Sequence, residues 1–180
     1  RSGVELVAAR MFAPSAGLVS EYAEQVVSPD DPQEKRIQEL IREYVLRNLG
    51  PEPKSQRRRR VMMLLFKGED AVRKLRAVIG NFSPHRRGGE TIRDTYGDLI
   101  IDENDNVHYF EPAVLAAPTP AEAKTKLLIW AKYSDTDGGV LEDVIQYGPH
   151  EVPERTLVLL KPDNFKFPSG RPGNMIDFFS

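Results

Sequence analysis

The 180 residues contain no cysteine, so thiol nucleophiles, thiolate metal sites and disulfides are excluded. Three histidines are present, His85, His108 and His150, and they are scattered along the chain, whereas a metal site needs clustered ligands. His85 stands in a loop with Arg86 and Arg87, and His150 in a polar connector; both read as surface residues. Gly88-Gly89 lacks the lysine-serine or lysine-threonine ending of a phosphate-binding P-loop. The basic run from Gln56 to Arg60 has no interleaved aromatic residue for base stacking, which argues for a solvated loop and against nucleic acid. A net charge of -2 gives no global attraction to polyanions or anionic membranes.

The elements that must position these groups follow from spacing. Val4 to Phe12 suits a buried strand, and Leu18, Tyr22 and Val26, four apart, predict a helix over Ser15 to Val27 that Asp30, Asp31 and Pro32 punctuate. Ile37, Leu40, Ile41, Tyr44, Val45 and Leu49 share one face of a second helix, stopped by Gly50-Pro51. Val61 to Phe66 reads as a central strand, followed by a helix that Asp70 caps and Gly80 ends. Asn81 to Glu90 is an extended loop. Asp98 to Asp102 and Val107 to Phe110 flank turn-forming residues and predict a hairpin, and Ala113 to Ala116 a short strand. Thr119-Pro120-Ala121-Glu122 carries the capping-box pattern and opens a helix running to about Lys132. A connector spans Ser134 to Glu154, Thr156 to Leu160 reads as a buried strand, and a helix restarts near Pro172. With 40% apolar residues the chain can bury one proper core, and strands alternating with helices predict an α/β or α+β sandwich. No apolar run approaches the ~18 residues of a membrane span, which predicts a soluble, cytoplasmic protein. Arg1 and the apolar end at Phe178-Phe179-Ser180 read as cuts from a longer protein.

Glu154-Arg155-Thr156-Leu157-Val158-Leu159-Leu160-Lys161-Pro162-Asp163 resembles the opening strand of nucleoside diphosphate kinases, E-R-T-hydrophobic-K-P-D. Phe66-Lys67-Gly68, a helix to Arg76, then Gly80 and Ser83-Pro84, resemble that family's third strand and third helix. Thr91-Ile92-Arg93 stands at its T-I-R, and Trp130 where its last core helix ends. The order is permuted, because Ser2-Gly3-Val4-Glu5-Leu6-Val7 resembles the second strand while the first stands at the C-terminus. The resemblance implies a ferredoxin-like βαββαβ fold, an antiparallel sheet covered by helices. It divides the chain into residues 1–132, the body of one copy; 133–153, a connector; and 154–180, the first strand and helix of a further copy or the permuted completion of the same domain.

In the family a γ-phosphoryl group passes from a nucleoside triphosphate to a histidine and on to a diphosphate. The resemblance implies Lys161, Arg76 and Arg93 as the phosphate cradle, Tyr22 beside the nucleophile, Mg²⁺ arriving with nucleotide, and assembly as a homo-oligomer or with a tandem copy. Alternatively these cations pair with acidic side chains across the cleft. The departures are chemical: Leu115 falls at the histidine of N-x-x-H-G-S-D, Pro112 at its asparagine and Ala117 at its serine. Phe82 replaces a phosphate-binding threonine, and Lys126 a glutamate that orients the histidine. His108, after Asp105-Asn106-Val107, is the one substitute nucleophile, although Tyr109-Phe110-Glu111 replaces G-S-D; its alternative is an outward-facing hairpin residue. The expectation is a catalytically silent copy, structural or nucleotide-binding, within a multi-copy parent that transfers phosphate. A module that assembles without nucleotide is the reading from another class.

Overall fold

A computed structural model describes residues 3–31, 33–82, 89–139, 141, 144–161 and 170–179. The loop residues Ser83, Pro84, His85, Arg86, Arg87 and Gly88, and Pro162 and Asp163 of the opening-strand motif, lie outside the described residues. Mixed α and β structure is present, with four strands and seven helices among the described residues. Two units separate by their internal contacts, Ser2–Ile145 and Gln146–Ser180.

In the larger unit the alternation of extended and helical segments is set by capping and turn residues. β1 (Glu5–Phe12) pairs antiparallel with β2 (Val61–Lys67), with Phe12 opposite Val61 and a bulge between Leu6 and Ala8. Between them lie α1 (Ala16–Glu24), whose N-cap Ser15 accepts a hydrogen bond from the Leu18 amide, and α2 (Lys35–Asn48). Val19, Tyr22 and Ala23 of α1 meet Ile41 and Val45 of α2, with Val26 and Leu49 completing the buried cluster. These positions are three and four apart, so each helix turns one apolar stripe inward. α3 (Ala71–Ile79) and α4 (Ile92–Tyr96) follow β2, then the hairpin of β3 (Asp98–Ile101) and β4 (Val107–Glu111). α5 (Pro120–Lys132) closes the core: Trp130 packs edge-on to Phe12 at 4.9 Å and to Tyr22 at 5.6 Å between ring centroids. The first residues of the expected connector form α6 (Ser134–Asp137), and Gly138 bridges Phe12. Asp137 is buried because it accepts from the Ser15 amide at 2.8 Å and pairs with Arg58 at 3.2 Å.

Two separate two-stranded antiparallel sheets stand among the described residues, compatible with the expected α+β class. Several element-level expectations are corrected. β1 is exposed over residues 5–9 rather than buried, and β2, read as central, has one strand neighbour among the described residues. Ala113 to Ala116 forms no strand, since its backbone carries Arg93 instead of a ladder. Asp70 precedes α3 with φ 54° and makes no capping bond, its carboxylate turning to Arg73. Thr119 does cap α5, accepting from the Glu122 amide at 3.2 Å, but Glu122 pairs with Lys126 at 2.8 Å in place of the reciprocal capping bond.

In the smaller unit Thr156 to Leu160 is not the expected buried strand: it joins no sheet among the described residues, and Leu157 and Leu159 are 78% and 76% exposed. The helix near Pro172 is present as α7 (Arg171–Asp177). Among the described residues no helix is long and apolar enough to cross a membrane.

Candidate functional site

A polar network joins the loop before α2 to α3, α4 and the segment after β4. It begins with Gln38, whose amide nitrogen donates to the Gln33 carbonyl at 2.8 Å and whose oxygen accepts from the Ser28 amide at 2.7 Å. The loop is thereby held in a shape that presents Asp31 and Gln33. Asp31 Oδ1 accepts from the Gln33 amide at 3.0 Å and from Arg76 Nη2 at 3.3 Å, the side chains of the ion pair being 6% and 11% exposed.

Arg93 is 3% exposed. Thr91 caps α4 by accepting from the Asp94 amide, which fixes the first turn and aims Arg93 inward. Its Nη1 donates to Gln33 Oε1 at 2.9 Å and to the Gly80 carbonyl at 3.2 Å, and its Nη2 to the Val114 carbonyl at 3.2 Å. The Phe82 ring lies 4.5 Å from the guanidinium, a cation–π contact. Gly80 is required here: its φ is +81°, and a Cβ would stand 2.2 Å from Thr91 Oγ1.

Asp31 is a carboxylate neighbour of both Arg76 and Arg93. Burial first, and then the Arg76 cation, push Arg93 down to about 10, with Asp31 opposing. Arg76 Nη1 and Arg93 Nε are buried donors without a hydrogen-bond partner. Two crowded guanidiniums with unused donors favour an added anion, because an anion supplies both the missing acceptors and the missing charge.

Leu115 follows the carbonyl that Arg93 holds, and it packs against the α1–α2 core that contains Tyr22. Arg76 and Arg93 thus meet around Asp31, whereas Tyr22 lies in the α1–α2 core beside Trp130. Burial, and then the charge of Glu122, raise the Tyr22 phenol to about 12. Pro112 is fully buried, and Phe82 contacts Phe110 at 4.8 Å between centroids. Lys126, 8% exposed, is committed to Glu122, whose Oε1 is a buried acceptor with no partner. Lys161 is exposed and lies in the Gln146–Ser180 unit.

His108 stands on the hairpin with its side chain 63% exposed, 3.1 Å from Asp102 Oδ2. Asp102 is held down at about 2, chiefly by the side chain and amide of Asn106, with further hydrogen bonds from His108 and the Asn104 amide. This is turn architecture, with the tip also tied to α2 through the Arg36–Asp105 ion pair. His150 is exposed. Among the described residues no three histidine, aspartate or glutamate side chains are grouped to hold a metal ion. The basic run is occupied locally: Arg58 binds the Ala13 carbonyl and Asp137, Arg59 the Arg47 carbonyl, and Arg57 pairs with Glu52 at 3.8 Å.

A cleft of about 380 Å³ borders the network, lined by Gln33, Ile37, Phe82, Leu99 and Val107 among others. Gln33 and Phe82 both touch Arg93, so one wall of the cleft is the outer surface of the cationic network. Asp31, Gln33 and Gln38 carry no sequence signal beyond turn polarity, and only the packed loop identifies them. No protein-family model, curated protein or solved structure matches the chain.

Proposed function

We propose that this chain is a nucleoside-diphosphate-kinase-like module that binds the phosphates of a nucleoside di- or triphosphate and does not transfer them. The observation that carries this reading is the crowding of the buried Arg93 and the half-buried Arg76 beside Asp31, each with one buried donor lacking a hydrogen-bond partner. A polyphosphate would take those donors and lower the repulsion between the cations. Mg²⁺ would enter with the nucleotide, held mainly by phosphate oxygens, since Mg²⁺ seldom relies on an all-protein cage.

Silence follows from Leu115. An isobutyl group has no lone pair to attack phosphorus, Pro112 and Ala117 offer no side-chain donor, and Lys126 is spent on Glu122. His108 is an exposed hairpin group with its own carboxylate partner. In this reading residues 1–132 are the body of a ferredoxin-like copy, 133–153 its connector, and 154–180 the first strand and helix of a further copy or the permuted completion. A parent of several copies would perform the transfer at an intact one.

Isothermal titration with ADP and Mg²⁺ tests the binding: wild type gives heat, and Arg76→Ala weakens binding about tenfold or more, the loss of one charge-assisted contact. Incubation with labelled ATP should leave no acid-labile phosphohistidine; label present in wild type and absent in His108→Ala would overturn the silence. The assembly-module reading rests on Arg93, whose Nη atoms already serve Gln33, Gly80 and Val114. Absence of heat in wild type would favour it.

A further inference from the structure

The cleft of about 380 Å³ lies between α2 and the β3–β4 hairpin, and the hairpin is tied to α2 near each of its ends. At the base, Phe110 of β4 packs against Phe82 at 4.8 Å and Tyr44 at 6.4 Å between centroids, and the Tyr44 hydroxyl donates to Glu111 Oε2 at 2.9 Å. At the tip, Arg36 donates to both the carboxylate and the backbone carbonyl of Asp105. Arg36, Leu40 and Tyr44 fall four apart, so one face of α2 follows the hairpin from tip to base. Between the two ties the walls are aliphatic, Ile37 and Leu40 from α2 and Leu99, Ile101 and Val107 from the hairpin, with the Phe82 ring beside them.

The ties differ in strength. Aromatic packing and a part-buried hydrogen bond hold the base, whereas the side chains of Arg36 and Asp105 are 45% and 67% exposed. An ion pair in water contributes little net stability, and salt screens it. The tip is a turn closed on itself: Asp102 Oδ1 accepts from the Asn104 and Asn106 amides, both at 2.8 Å, and Asp105 takes φ 64°, a left-handed conformation that aspartate tolerates better than most residues. Such a turn keeps its shape when it parts from Arg36. A hairpin held firmly at one end and weakly at the other has a hinge and a latch.

We propose that the cleft between α2 and the hairpin is a pocket for a compact apolar or aromatic group, and that the Arg36–Asp105 pair is the latch that controls entry. Both residues line the cleft and also bind each other, so the pair bridges the two walls. Release of the latch lets the hairpin swing about Tyr44, Phe110 and Glu111, and the apolar walls part. An apolar occupant replaces the contact that the walls lose and permits the latch to close behind it. Phosphate binding at Arg76 and Arg93 plays no part in this device.

Because the chain has no cysteine, Glu103→Cys gives a single attachment point for a nitroxide on the hairpin tip. Paramagnetic broadening of the α2 amides in the isotope-labelled full chain reads the position of the tip, and uptake of the uncharged dye N-phenyl-1-naphthylamine reads entry. The amides of Lys35, Arg36 and Ile37 should be broadened at low salt and relieved in about 0.5 M NaCl, where screening is several-fold stronger. Asp105→Asn, which keeps a residue suited to the left-handed backbone, should speed dye entry about threefold, the factor that an exposed ion pair is worth. Arg36→Glu removes both bonds and adds repulsion, so it should speed entry further, while an acidic group in the first turn favours α2 itself. Unchanged Trp130 fluorescence certifies the core in each variant. Dye-induced shifts at the Leu40, Leu99 and Val107 amides should place the dye in the cleft. A tip that stays beside α2 in Arg36→Glu overturns the latch, as does dye entry at the same rate in wild type and both variants. Dye shifts that spare those three amides overturn the pocket.

Discussion

Tyr22 sits edge-on to Trp130 with its phenol raised to about 12, by burial first. A tyrosine whose folded pKa exceeds its unfolded value of about 10 stabilises the fold fully below pH 10, and that contribution is lost as pH rises towards 12. Urea unfolding of wild type and Tyr22→Phe should therefore diverge between pH 10 and 12, with wild type losing roughly 2–3 kcal/mol that the variant keeps. Parallel curves would show that the phenol ionises freely. Tyr44 moves in the same direction, by burial and its 2.9 Å bond to Glu111, so it must be left intact in both proteins. Arg93 is the other residue whose burial has a measurable consequence. Its removal strands the Gly80 and Val114 carbonyls and Gln33, so Arg93→Ala should cost roughly 3 kcal/mol in urea unfolding. Arg93→Lys should rescue little, because one ammonium cannot span acceptors that a planar fork reaches. Full rescue by lysine would mean that charge alone matters there.

At the scale of the element, α5 separates a local signal from a tertiary one. The Thr119-Pro120-Ala121-Glu122 pattern predicts a reciprocal capping box, and the threonine arm is present while the glutamate arm is diverted to Lys126. The diversion has a physical reason: Lys126 is nearly buried and needs a carboxylate within reach, a larger demand than a second bond at a helix start. Thr119→Ala should accordingly cost about 1 kcal/mol and Glu122→Ala roughly 3 kcal/mol, as read by denaturant midpoints. Equal, small costs would restore the reciprocal box. Helix and hairpin existence were legible from period and turn chemistry, as α2 and the β3–β4 pair show. Strand burial was not, because an apolar run states what a segment prefers to touch and not whether a partner is there.

Across the whole molecule, the well-packed core lies between α1, α2 and α5, and apolar surface remains outside it on β1, β2 and the C-terminal segment. Leu18, fully buried, and Leu157, 78% exposed, are the same side chain in opposite settings. Leu18→Ala should lower stability by roughly 2–5 kcal/mol. Leu157→Ala should leave a dilute solution within about 0.5 kcal/mol, both followed by the fluorescence of Trp130, the one tryptophan. A comparable loss at Leu157 would place that segment in the core.

The sequence by itself determined the alternation of helices and strands over residues 5–132 and the absence of thiol chemistry. These depend on residue identity and on periods of two and 3.6, which a chain carries without folding. Only the tertiary structure decided that Arg93 is bound to backbone carbonyls, that Asp31 lies beside two guanidiniums, and that Thr156 to Leu160 joins no sheet among the described residues. Each of those depends on which distant groups meet, and the loop around Asp31 and Gln33 takes its shape from Gln38, a side chain on the next helix.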